Sequence, residues 1–126
     1  MILPLNYFLI LMVEYYKNLI EIDWVKIQRI NDRKSLSYFL DLDKGEAEAI
    51  VLANEINADK IIIDEKLGRF HARHANLNLI GTIGVLIKAK RQNLIDELKP
   101  ILDELSQKGV WLDKNLIEIV LKEAGE

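Results

Sequence analysis

"KIIIDEKLGRFHARHANLNLI", residues 60–80, sets an unbroken isoleucine run, a charged stretch of helical length and a second short apolar run in direct succession. "KIIID" (60–64) has no polar residue between its charged ends, as expected of a strand covered on both faces. "EKLGRFHARHA" (65–75) reads as a helix and "LNLI" (77–80) as a second short strand. Strand, helix, strand at this spacing is the pattern of a parallel sheet, so the fold class is read as α/β, with a short parallel sheet flanked by helices.

Downstream, "GTIGVLIKAKRQ" (81–92) opens a further helix, with Thr82 as its expected cap. From Asp96 on, apolar residues recur at helical spacing, first at Leu98, Ile101, Leu102 and Leu105, then at Leu116, Ile117, Val120 and Leu121. "KGVWLD" separates these two helices. Upstream, residues 44–57 read as helical, "SLSYFLDL" as a short helix and "NDRKS" as a turn. "WVKIQRI" (24–30) alternates like a strand, Val25 and Ile27 on one face and Lys26 and Gln28 on the other. Residues 5 to about 21, rich in Leu, Ile and Tyr, read as another helix.

A chain of 126 residues, 50% hydrophobic, holds one real core, so residues 1–126 are expected to form a single domain. Within it, residues 1–23 are a divergent apolar segment, 24–95 the α/β core and 96–126 the C-terminal helices. The net charge of -3 excludes a global basic field for duplex nucleic acid, so any such contact must come from a local patch. There is no cysteine, which excludes a disulfide framework and thiolate metal sites and points to a reducing, cytoplasmic setting. "MILPLNYFLILMV" is broken by Pro4 and Asn6 and falls short of the ~20 residues that span a bilayer. It also lacks a basic start and a small-residue cleavage site, so neither a membrane span nor a signal peptide is expected.

"DKGEAEAI" (43–50) holds three acids at a helix entrance. Asp43 followed by Glu46 is the spacing of a capping box. On a helical wheel Glu46 falls among Ala53 and Ile50, whereas Glu48 falls beside Glu55 on the opposite, solvated face. A carboxylate on a face of small apolar residues needs a reason. Asp64 ends the isoleucine strand, and ligands of parallel sheets bind at the carboxyl ends of strands. A helix of about 13 residues is ~20 Å long, and the strand returning beside it spans a comparable ~17 Å. Glu46 and Asp64 are therefore expected at one edge of the sheet, as oxygen ligands of the kind that hold Mg²⁺ or Mn²⁺ for phosphodiester cleavage. The alternative for Asp64 is a cap on the helix beginning at Glu65.

His71 and His74 have no arranged carboxylate and do not make a zinc site by spacing alone. Arg69 and Arg73 beside them form a basic stripe, which Lys88, Lys90 and Arg91 extend; it could meet phosphates or be a solvated helix face. "GTIGVL" lacks the spacing and the Lys of a phosphate loop.

In "LDKGEAEAI", "IIIDEKLGR" and "IGTIGVL", in that order and spacing, the chain resembles the PIN-domain nucleases, specifically the small predicted nucleic-acid-binding branch of prokaryotic toxin–antitoxin systems akin to VapC-like toxins. The resemblance runs from roughly Trp24 to Leu121. It implies a Rossmann-like three-layer fold and a cluster of three or four acids that binds Mg²⁺ or Mn²⁺ to cleave an RNA substrate. Glu46 and Asp64 occupy acidic positions of that cluster, with Glu48 and Glu65 as outlying candidates. It further implies a small DNA-binding, antitoxin-like partner protein.

The departure is at the start. Such domains open with a short apolar strand ending in an Asp that ligates the metal, whereas no acid precedes Glu14 here, so that strand and its Asp are expected to be missing or replaced. Two carboxylates alone hold Mg²⁺ weakly, and an open sheet flank is a template for pairing. Three readings follow: a ribonuclease toxin of reduced or partner-completed activity, an inactive PIN-like protein that binds a partner or RNA, and a truncated variant that forms a homodimer.

Overall fold

In the computed structural model the described residues are 23–126. The expectations for the N-terminal segment, including its helix and Glu14, lie outside them. The chain divides into two units, one ending at Thr82 and one running from Ile83 to Glu126, each with its own apolar cluster.

In the first unit the order of elements is α1 (Lys44–Glu55), β1 (Ile61–Ile62), α2 (Lys66–His74) and β2 (Leu79–Ile80). A 3-10 helix, Arg33–Phe39, precedes them where a short helix is expected. β1 and β2 pair in parallel, Ile61 opposite Leu79 and Ile62 opposite Ile80, as the strand–helix–strand pattern predicts. Bonds from Ile61 N to Asn78 O (2.8 Å) and from Ile63 N to Ile80 O (3.1 Å) extend the pairing at both ends. The core is built from Ile61 and Ile63, Ile50 with Ala49 and Ala53 from α1, and Ala72 from α2. Fully buried side chains such as Ile50 and Ile61 each contribute ~1.5–3 kcal/mol by leaving water. Alanines at the helix contacts let the helix backbones approach closely.

Residues 24–30 form no strand. The alternation there predicts one, but none of them pairs with another strand among the described residues, and Ile27 on the supposedly inward face is 70% exposed. Alternation specifies a half-covered extended chain; a strand also needs a neighbour to complete its hydrogen bonds. What ties this region to α1 is Glu55, whose carboxylate accepts from Asn31 N (2.9 Å) and Asp32 N (2.7 Å).

The second unit consists mainly of α3 (Thr82–Arg91, its first residue still in the first unit), α4 (Lys99–Gln107) and α5 (Lys114–Ala124). Leu98, Leu102 and Val120 are buried, with Leu86, Ile117 and Leu121 packed on them. Glu126 accepts from Leu98 N (2.8 Å) and Lys99 N (2.9 Å), the free donors at the start of α4, and from Lys90 Nζ (2.8 Å). These bonds, led by the one from Lys90, pull its pKa down to about 2. No helix among the described residues is long and apolar enough to cross a membrane.

All five α-helices among the described residues stop the same way. Asn57, Asn76 and Asn93 adopt positive φ after α1, α2 and α3, and Gly109 and Gly125 do so after α4 and α5. Each is followed by a backbone bond reaching back five residues: Ala58 to Ala53, Leu77 to Ala72, Leu94 to Ala89, Val110 to Leu105 and Glu126 to Leu121. This is the Schellman ending, for which only glycine, and less readily asparagine, tolerates the left-handed turn.

Candidate active site

α1 begins at Asp43, whose extended backbone and Oδ1, accepting from Glu46 N at 2.9 Å, supply the cap. The reciprocal half of the expected capping box is not formed: among the described residues nothing donates to the Glu46 carboxylate. The residue is nonetheless largely buried, 9% exposed, the single charged residue in a core-like position among those described, and its carboxylate oxygens keep contact with solvent. Its pKa is raised, first by burial and then by the charges of Asp43 and Glu65. A partly desolvated acid crowded by two others is costly to keep ionised.

Space for Glu46 depends on Gly68 of α2. A Cβ added there would lie 2.8 Å from Glu46 Oε1 and 2.9 Å from Ile63 Cγ2, so α2 can cross at this height only with glycine. Glycine inside a helix sacrifices ~1 kcal/mol relative to alanine, which is the signal in "EKLGRF" that could have identified the close approach.

Asp64 stands at the end of β1 and is exposed. It does not cap α2, whose N-cap is Glu65 and has no side-chain cap bond. Instead Asp64 Oδ1 accepts from Thr82 N (2.9 Å) and Oδ2 from Thr82 Oγ1 (2.5 Å), tying the end of β1 to the start of α3. Thr82 is thus the first residue of α3 and a donor to Asp64, not the expected cap. Arg69 Nη1 donates to Ile63 O at 3.4 Å. A Cβ on Gly81 would lie 2.9 Å from both Arg69 Nη1 and Asp64 Oδ1, so an absent side chain at 81 leaves room for this acid and base to share one small space. Asp64→Ala is expected to cost ~1 kcal/mol through the lost α3 tie, with Thr82→Ala costing less than additively on top of it in urea denaturation.

The two principal acids therefore have different surroundings. The charges acting on Glu46 are Asp43 and Glu65, whereas Asp64 is engaged by Thr82 beside Arg69. Glu48 lies on the outer side of α1, 3.8 Å from Lys44. Glu65 is exposed. Of the basic stripe, Arg69 turns toward Asp64, Arg73 is exposed, and Lys88 and Arg91 belong to the second unit. His71 is no ligand partner of His74: its Nε2 lies 2.8 Å from Asp41 Oδ2, with Phe39 and Phe70 edge-on at 5.5 Å. This bond, with the imidazole as partner, lowers the pKa of Asp41. Asp41, Gly68 and Gly81 are the contributors that sequence spacing does not single out, and it marks Thr82 only as a helix cap.

A hard divalent cation takes oxygen ligands, and a largely buried glutamate beside a second acid fits that requirement in kind. In number the set is incomplete, because among the described residues no group of three or more His, Cys, Asp or Glu is placed to hold a metal.

A family model described as a PIN domain matches residues 13–126. No curated protein and no solved structure matches the chain.

Proposed function

Since the chain belongs to the PIN-domain family, whose function is of the nuclease type, we propose that it is a metal-dependent endoribonuclease of a prokaryotic toxin–antitoxin pair acting in the cytoplasm, with Glu46 at its centre. The observation that carries this reading is a largely buried Glu46 beside two further acids. Proteins keep charge in so costly a place where function requires it.

Glu46 and Asp64 are the residues that would hold Mg²⁺ or Mn²⁺, with Glu65 and Glu48 as outlying candidates. Such an ion, when bound, supplies neutralisation of the phosphodiester charge and a water acidic enough to attack phosphorus. The chain's own work is positional. Gly68 keeps the space around Glu46 Oε1 open, and Thr82 holds Asp64 in one orientation. Arg69 and Arg73 would meet the phosphates of the RNA strand. A small DNA-binding antitoxin-like protein is the proposed partner.

The incomplete ligand set favours a second reading, an inactive PIN-like protein that binds RNA or a partner, alone or as a homodimer. Two measurements on the whole chain separate them: cleavage of single-stranded RNA with and without Mn²⁺, and Mn²⁺ binding followed by electron paramagnetic resonance. The nuclease reading expects both signals. A folded protein that gives neither is the inactive form.

A further inference from the structure

α2 turns a curious face to solvent. Gly68 and Ala72 are buried, as a core-facing helix requires, yet Leu67 and Phe70 are 44% and 51% exposed. They share the outer face with Lys66, Arg73 and His74, all exposed. Large apolar side chains gathered on one outward face, framed by cations, mark an interaction surface.

The rings are arranged. Phe70 and His74, one helical turn apart, have centroids 4.1 Å apart and planes tilted by 38°. His74 Nδ1 lies 2.9 Å from Phe70 O, and because a carbonyl only accepts, Nδ1 is the donor. The imidazole is therefore held in one orientation beside the phenyl ring. Lys66 and Arg73 lie on the same face, and α2 carries no acidic side chain, in a chain whose net charge is -3. A polyanion with exposed π-faces complements this combination of aromatic faces and positive charge; a neutral apolar partner would leave the cations unused.

We propose that the outer face of α2 is a stacking platform, on which an unpaired base of the RNA strand lies against Phe70 and His74 while Lys66 and Arg73 meet the flanking phosphates. Identification of the strand as RNA rests on the ribonuclease reading; the platform itself rests on the ring geometry and charge. Stacking tolerates any base, so the subsite would select single-stranded over paired segments and carry little sequence preference.

The test measures binding without cleavage: fluorescence anisotropy of a short labelled single-stranded RNA with EDTA present, alongside sedimentation velocity and thermal melting. Phe70→Ala is expected to weaken binding roughly 5- to 150-fold. Phe70→Trp should restore it and Phe70→Leu should not, since leucine keeps apolar area but has no π-face. Arg73→Gln should lower the salt-dependence slope by about 0.7, the share of one single-strand phosphate. Unchanged affinity in Phe70→Ala overturns the proposal. So does an unchanged affinity accompanied by dissociation of a dimer, which assigns the face to a second copy, or by a fall in melting temperature that leucine reverses, which assigns it to packing within the chain. A platform confirmed in a protein that cleaves nothing leaves the stacking assignment standing and removes the nuclease.

Discussion

Glu46→Gln is expected to stabilise the fold at neutral pH while lowering Mn²⁺-dependent RNA cleavage by roughly 100-fold or more, the scale on which a charge aimed at a reacting centre acts. The two halves of this outcome share one cause. Burial, reinforced by Asp43 and Glu65, holds the Glu46 pKa above its ordinary 4.5, so the folded chain binds that proton more tightly than the unfolded one does. Ionised Glu46 therefore subtracts stability above its folded pKa. The subtraction fades as pH falls through that value and is gone below the unfolded one. Glutamine is neutral throughout, so its advantage of ~0.5–2 kcal/mol at pH 7 should shrink on acidification and vanish below pH 4.5. Urea denaturation of both proteins at neutral and acid pH reads it directly. A less stable Glu46→Gln protein at pH 7 would mean that the carboxylate is held by a favourable contact instead.

Gly68→Ala is the second large effect, and its sign is diagnostic. Helix propensity alone makes alanine the better residue by ~1 kcal/mol. Packing says the reverse, because the new Cβ would fall 2.8 Å from Glu46 Oε1 and 2.9 Å from Ile63 Cγ2. Ile63 is a β-branched residue buried in the core and has little freedom to move away. Overpacking of this kind costs ~1–3 kcal/mol, so a net loss is expected, visible as a drop of several degrees in melting temperature. Truncation of Glu46 to alanine should relieve part of it, since one of the two close contacts disappears, and the double-mutant cycle gives a coupling between positions 46 and 68. A stabilised Gly68→Ala protein would show that α2 does not cross as closely as described.

Both experiments turn on a site that the sequence showed incompletely. That Glu46 sits inward and Glu48 outward follows from the helical wheel, and the structure has Glu46 buried and Glu48 beside Lys44 on the outer side. The environment of Asp64 did not follow. Its Thr82 donors lie 18 residues along the chain, at the start of α3, and are brought to it by the parallel pairing of Ile62 with Ile80. The strand expected at residues 24–30 failed for a related reason: alternation describes one chain, whereas a strand is a property of two.

The sequence by itself determined the elements and their ends. The isoleucine run, the alanine-rich face of α1 and the left-handed Asn or Gly after each of α1 to α5 are local signals, governed by sterics over a few residues. Only the tertiary structure decided what each acid experiences. Desolvation, the reach of a neighbouring charge and the room left by a glycine depend on what other segments bring within a few ångströms, and no spacing along the chain encodes those distances. So Glu46 becomes a crowded carboxylate because α2 passes it at Gly68, and Asp64 is engaged by Thr82 because β1 runs beside β2.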